Sequence, residues 1–427
     1  MGRTRTVSAV GLICGTLTIA AADWPQWRGP ARTGISAETG LLRQWPAAGP
    51  RLVWRIDNVG DGFSTPTVAG GRVYLVVNEG LANEYVRAFS AADGKVLWST
   101  RLGKVGNPDQ SPSYPAARSS ATVDGSTVYA LGSDGDLAAL DAATGTARWK
   151  KQLRSDFGGV PGTWAYAESP FVDGDRVVVT PGGKTTMAAL DKRTGMAIWR
   201  ASVPSSEPAA YATMSILQVG SSKQYVTFLD KGIVAVDAAT GAVLWRDGRT
   251  AEGSAANAPT PVVSGNVVYN ATAQTGGAAV RVSVNQGKVT SEPLYFDKRL
   301  PGMTGGTVLI NGTLYGSNMV SMIAADFATG AIKWQDRSIG AASVTAADGL
   351  LFLHGENGDV ALVEATPAAY REKGRFTPPN QPERRPGTPS AQSKTWPHPV
   401  ISDGRLYLRD LNIMWVYDVK GSSSGTK

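Results

Sequence analysis

The sequence predicts an all-β fold assembled from repeats, and two observations carry that reading. The first is the phrase A-L-D-A-A-T-G-T-A-R-W at residues 139–149. It recurs at 189–199, 235–245 and 324–334, and in a worn copy at 88–98 with Ser90 for the Asp and Asp93 for the Thr. Self-similarity every 40–50 residues or so marks stacked supersecondary units, so the 427 residues form one unit rather than two or three domains. The second is composition: 50 Gly, 12 Trp and only 18% charged residues suit many short strands joined by tight turns.

The phrase has a physical meaning. Its Ala and Asp positions mark a strand, T-G or D-G is a turn needing a positive φ, and the next strand ends in Trp. That Trp is too large to bury within one small sheet and must dock on the next repeat, where a small Ala leaves room. The pattern A-x-D-x-x-T-G-x-x-x-W resembles the tryptophan-docking motif of pyrroloquinoline-quinone (PQQ) type β-propellers. The resemblance spans nearly the whole chain after residue 22. It implies four-stranded antiparallel blades with each Trp packed between neighbours. It says little about function, because propellers serve many.

Residues 1–22 read as a secretory signal peptide: Arg3 and Arg5, an apolar run from Val7 to Ala20, then small residues before Asp23. The run is too short to span a bilayer. Cleavage removes Cys14, the only cysteine, which leaves no disulfide or thiolate and places the mature chain in the periplasm or outside the cell. Residues 23–50 open with W-P-Q-W-R-G-P-A-R-T-G-I-S, similar to the start of a group of exported PQQ-like propellers. This segment is expected to pack on the propeller as a rigid plug, with ligand stacking by Trp24 or Trp27 as the functional alternative.

The propeller proper is assigned to residues 51–420. Residues 51–56 form a lone strand around Trp54, and Val416-Tyr417-Asp418 begin a phrase that has no Trp strand of its own. Trp54 completes it, so the N-terminal strand closes the last blade and removes both exposed sheet edges. Eight blades are counted from turns at Gly70, Gly125, Gly174, Gly220, Gly265, Gly312, Gly349 and Gly404. Two carry degenerate phrases. Ser291 stands in the Trp position of the fifth, and Thr366-Pro367 replaces T-G in the seventh, so seven blades is the alternative. The Pro-rich, charged stretch 371–395 reads as an irregular surface loop, and 421–427 as a disordered tail.

Five residues before each turn glycine stand Thr65, Ser120, Ser169, Ser215, Thr260, Thr307, Val344 and Pro399. Hydroxyls dominate this ring, either because the axis is crowded or because they satisfy backbone groups. One residue earlier, Glu168 and His398 are the ionisable members of an otherwise neutral ring, with Arg118 beside it. These three are the candidate cofactor- or ligand-binding residues at one mouth of the channel. A structural Arg118–Glu168 ion pair is the competing reading.

The net charge of +7 is scattered rather than striped, which argues against nucleic acid as a partner. With only His354 and His398, no nucleophile-elbow triad is evident, and Gly182-Gly183-Lys184-Thr185 lacks the earlier Gly of a phosphate loop. No catalytic residue or metal site is assigned. The resemblance implies one enzymatic alternative, a PQQ-dependent alcohol or sugar dehydrogenase holding quinone and Ca²⁺ on the axis with a carboxylate base. That constellation is incomplete: Glu168 finds no Asn or Asp at matching ring positions, and Met303-Thr304 stand where such relatives often carry paired histidines. The expectation is a monomeric, exported, non-catalytic binding or scaffolding module for a protein, glycan or small molecule. Propellers of the outer-membrane barrel-assembly type are the precedent for scaffolding.

Overall fold

The structure, a computed structural model, describes residues 23–110, 113–251, 256–383 and 394–421. The predicted leader with Cys14, and the tail after Gly421, lie outside the described residues. Among the described residues eight four-stranded antiparallel blades form a ring, the seventh extended by a fifth, parallel strand, which removes the seven-blade alternative. Blades 1 to 7 span 67–104, 122–152, 171–201, 215–247, 262–297, 307–336 and 342–376. Blade 8 combines residues 400–418 with strand Arg51–Ile56, which pairs antiparallel with Ile413–Asp418.

The repeated phrase folds by local chemistry. Asp141 Oδ1 accepts from the Ala143 and Thr144 backbone N–H groups and from Thr144 Oγ1, each at 3.0 Å. Asp191, Asp237 and Asp326 cap their turns in the same way. The turn glycine then does two jobs. Gly145 holds φ 74°, and its bare Cα receives Trp98 of the preceding blade, where a Cβ would come within 2.6 Å of the indole. Trp149 lands on Gly195 and Trp199 on Gly241 in the same fashion. The docking surface is therefore the next blade's turn glycine, whereas the small Ala139 lies opposite Trp149 within its own blade. The indole N–H groups of these three also reach across the blade boundary: Trp98 to Ala142 O at 3.2 Å, Trp149 to Lys192 O at 3.0 Å and Trp199 to Ala238 O at 3.2 Å. Trp199, Trp245 and Trp334 are buried, while Trp149 is only partly so. At the ring closure Trp54 donates to Ala91 O at 3.1 Å and packs on Gly94.

Two sequence assignments need correction. In blade 5 the docking position belongs to Tyr295, not Ser291. The hairpin 276–297 is extended, so Tyr295 pairs with Ala279 just as Trp149 pairs with Ala139. Tyr295 packs on Gly330 and donates its hydroxyl to Phe327 O at 2.7 Å. This long hairpin also presents no T-G turn to blade 4, and Trp245 instead donates to Gln224 Oε1 within its own blade. The stretch 371–395 is not wholly irregular: Glu372–Phe376 is the outer strand of blade 7, pairing with Val360–Glu364. Residues 384–393 of that stretch lie outside the described residues.

The N-terminal segment crosses the channel at the turn-bearing mouth. Trp24 exchanges backbone bonds with Val68 of blade 1, and Pro25 O accepts from Val123 of blade 2. Arg32 reaches Val172 O of blade 3, and Arg28 Nη2 reaches Thr307 O of blade 6 at 2.5 Å. Strand Ile35–Ser36 then adds in parallel to the inner strand of blade 7, and Glu38 accepts from Asp403 and Gly404 of blade 8. One short segment thus ties most of the ring together.

Candidate functional site

With one mouth crossed, the other opens into a cavity of about 310 Å³. Its floor is Trp27, carried there by the N-terminal segment, whose indole N–H donates to Thr260 Oγ1 at 2.8 Å. Its walls include Phe63, Trp164, Tyr211 and Trp396, each from a link between one blade's outer strand and the next blade's inner strand. The antiparallel up-and-down path returns every such link to the same face. Trp164 meets Tyr211 edge-on at 5.8 Å between centroids, and Phe63 meets Trp396 at 4.9 Å. The Phe63 loop is pinned by buried Arg409, which donates to Gly60 O, Ser64 O and Leu411 O. Gly62 is needed there because a Cβ would come within 2.5 Å of Arg409 Nη2.

The hydroxyl ring has a defined task. Thr65 accepts from the His398 backbone N–H at 2.9 Å, Ser120 from Thr65 N at 3.1 Å, Ser169 from Ser120 N at 3.0 Å and Thr213 from Ser169 N at 2.9 Å. Each bond joins adjacent blades. In blade 4 the ring member is Thr213 rather than the predicted Ser215, because inner strand Ser215–Val219 is two residues longer than Thr67–Ala69. Ser215 Oγ donates to Pro261 O, the equivalent of Thr67 donating to Ala121 O. A hydroxyl that accepts from an N–H keeps its own proton to donate, and Thr65, Ser169 and Thr213 all line the cavity.

Of the three predicted site residues, the structure brings only Arg118 onto the cavity wall. Its guanidinium donates to Ala116 O, Ser113 Oγ and Tyr114 O and lies 5.3 Å from the Phe63 ring centroid. Burial pulls its pKa down to about 10. Glu168 points away from the axis, into its own blade, where Oε1 accepts from the Thr180 N–H and Oε2 finds no partner. Burial raises that carboxyl to about 7. Arg118 and Glu168 do not pair with each other. His398 lies behind the floor, edge-on to Trp27 at 4.6 Å between centroids. Burial, aided by the Arg28 charge, lowers its pKa to about 3, so it is neutral near pH 7. The wall aromatics were missed from sequence, though a signal existed: Phe63 and Tyr211 each stand two residues before a ring hydroxyl.

The residues present do not fit a calcium–quinone centre. Calcium takes six to eight or so oxygen ligands, usually with carboxylates among them. Among the described residues lining the cavity, no side chain is a carboxylate. No group of three or more His, Cys, Asp or Glu gathers anywhere among the described residues. No described helix is long and apolar enough to cross a membrane.

Fold and cavity together define an eight-bladed propeller with an aromatic-walled axial site. A family model described as outer membrane protein assembly factor BamB matches residues 31–160 and 82–336. The chain belongs to this family of PQQ-like β-propellers. It is similar to the BamB protein of Moranella endobia, 28% identical over 127 residues, which cover 28% of this chain and 31% of that protein. It is also similar to the dehydrogenase subunit of a quinone alcohol dehydrogenase from Komagataeibacter europaeus, 29% identical over 195 residues, 43% of this chain and 25% of that one. These matches thus span about a third or less of each relative's length. The crystal structure of BamB from Moraxella catarrhalis superposes with a TM-score of 0.61 at 16% identity, covering 87% of this chain and 98% of that one. That likeness shows the fold.

Proposed function

We infer that this chain is an exported, non-catalytic binding propeller whose axial cavity takes a small ring-bearing ligand. The observation that supports this most is the lining itself: stacked aromatic faces, donor hydroxyls and one guanidinium, with no described carboxylate to act as base or hold calcium. Arg118 sets the ligand's polar end, Trp27 carries its ring, and His398 acts only through Trp27. A second reading, protein scaffolding in the periplasm, draws on the relatives named as assembly factors and on exposed apolar tips. Leu81, Met319 and Val320 stand at loops joining the second and third strands of their blades, on the face where the cavity opens. Both readings use one face.

The test is purification without the leader, followed by tryptophan fluorescence titration with PQQ, with and without Ca²⁺, and with a panel of sugars and aromatic acids. Saturable quenching that is lost in Trp27→Phe and weakened in Arg118→Gln, without dye-linked oxidation of alcohols or sugars, is expected. Calcium-dependent oxidation with bound PQQ overturns the non-catalytic reading.

A further inference from the structure

A second hollow of about 300 Å³ adjoins the axial cavity on the same face of the ring. The two share Tyr211 and are built by the same three links, those that precede blades 3, 4 and 5. An extended chain presents successive side chains to opposite sides, and these links do so. Thr163 lines the second hollow and Trp164 the axial cavity. Asn257 lines the second hollow, between Ala256 and Ala258 of the axial one.

Tyr211 is the joint. Its ring meets Trp164 edge-on, while its hydroxyl lies at Gly162 of the second hollow, where a Cβ would come within 2.5 Å of it. That hydroxyl accepts from the Trp164 N–H at 3.2 Å and from the Thr163 hydroxyl, which leaves its own proton to donate. The turn carrying Trp164 is fixed as well: the Ala165 N–H donates to Gly162 O at 3.0 Å, with Ala165 held at φ 63°.

The charged wall of the second hollow is Asp230, in the tight turn between strands Ser222–Leu229 and Gly232–Asp237. Asn257 Nδ2 donates to Leu229 O at 2.8 Å and to Asp230 O at 2.9 Å, which holds that turn against the link. Asp230 is exposed, and no ion pair or hydrogen bond engages its carboxylate among the described residues. On the axial side, Arg118 already donates to Ala116 O, Ser113 Oγ and Tyr114 O. The joined space therefore offers little positive charge to an acid, and Asp230 repels one. A lone ammonium answers Asp230 only. A ring bearing several hydroxyls answers Asp230, Thr163 and Tyr211 together.

We propose that the two hollows form one site for a neutral oligosaccharide. The proposal rests on the binding reading above and names its ligand class. One sugar ring lies among the axial aromatics, and the next lies in the second hollow with its hydroxyls on Asp230, Thr163 and Tyr211. The flat C–H faces of a sugar suit aromatic rings, and its hydroxyls bond strongly to a carboxylate.

The test is tryptophan fluorescence titration of the mature chain with three sets of probes. These are glucose and N-acetylglucosamine, the disaccharides cellobiose, maltose and diacetylchitobiose, and benzoate with tyramine. At least one disaccharide should bind about tenfold more tightly than its monosaccharide, as one charge-assisted hydrogen bond predicts. Asp230→Ala should remove that gain while the monosaccharide affinity and the melting temperature stay unchanged, because the side chain is exposed. Asp230→Asn keeps an acceptor and should lose less. Trp27→Phe, at the axial floor, should weaken monosaccharide and disaccharide alike. The proposal fails if no disaccharide outbinds its monosaccharide, if Asp230→Ala binds the disaccharide like wild type, or if tyramine binds more tightly than every disaccharide. Benzoate binding without any disaccharide sinks the proposal and leaves the axial ring site standing; silence from every probe, PQQ included, sinks both.

Discussion

Trp45 lies directly over Gly374, so close that a Cβ on the glycine would come within 2.6 Å of the Trp Cβ. Gly374 pairs with Leu362 at the register where blades 1 to 4 and blade 6 pair Ala with their docking Trp. Blade 7 therefore lacks its own docking aromatic, and the N-terminal segment supplies one. Trp45 packs on Phe352 and Phe376 of blade 7 and belongs to a core shared with Leu406, Trp415 and Tyr417 of blade 8. Trp45→Ala should cost about 3–5 kcal/mol, as for other buried aromatic truncations. Gly374→Val should also destabilise, since it overfills the same space. Urea unfolding of each variant checks both, and a Trp45→Ala protein with the wild-type midpoint refutes the substitution of one aromatic for another.

Tyr295 gives a finer test of docking. Its ring packs on Gly330 and its hydroxyl donates across the blade boundary to Phe327 O. Tyr295→Phe keeps the packing and should cost about 1 kcal/mol, the usual net worth of one hydrogen bond. Tyr295→Ala should cost about 3–5 kcal/mol. Equal effects of the two would show that the ring contributes nothing beyond its hydroxyl.

These two positions also show what the sequence could and could not say. The repeated phrase made the propeller, its eight blades and its closure through Trp54 legible, because each follows from local turn chemistry and edge pairing. Tyr295 was hidden because counting residues from Gly287 assumes a hairpin of standard length, and this one is longer. Trp45 was hidden because it acts from another part of the chain. At the axis the ring positions of blades 1 to 3 were read correctly, but blade 4 was displaced by two residues and blades 7 and 8 by one. Thr345 donates to Pro399 O as Thr67 does to Ala121 O, and His398 itself holds the ring position of blade 8. Side-chain direction was not read. Ring residues alternate, so Glu168 faces its own blade while Ala167 and Ser169 face the cavity.

The two buried ionisable groups near the axis should pull stability in opposite directions with pH. Glu168 is raised from its usual 4.5 to about 7, so between those values the folded chain keeps a proton that the unfolded chain releases. Its contribution is complete below pH 4.5 and is lost as pH rises through 7. His398 is lowered from 6.5 to about 3, so its contribution is present above pH 6.5 and is lost as pH falls toward 3. Because the windows overlap, the variants must be compared with wild type at each pH. Glu168→Gln should gain stability relative to wild type as pH rises from 4.5 to 7, by roughly 3 kcal/mol. His398→Gln should gain instead as pH falls. A Glu168→Gln difference that is flat across this window shows that the carboxyl is solvated.

Two hydroxyls compete for the ring position in blade 4. Thr213 Oγ1 accepts from the buried Ser169 N–H at 2.9 Å, whereas Ser215 Oγ donates to Pro261 O. Thr213→Val keeps the shape but leaves that N–H without a partner, at a cost of about 1–3 kcal/mol. It also removes a donor from the cavity wall, so any ligand bound there should weaken. Thr213→Ser should restore both stability and binding. Ser215→Ala should cost about 1 kcal/mol and leave axial binding unchanged, since Ser215 Oγ donates to Pro261 O and does not line the axial cavity. Thermal melts alongside the fluorescence titration read both effects. If Ser215→Ala weakens axial binding and Thr213→Val does not, the ring assignment is inverted.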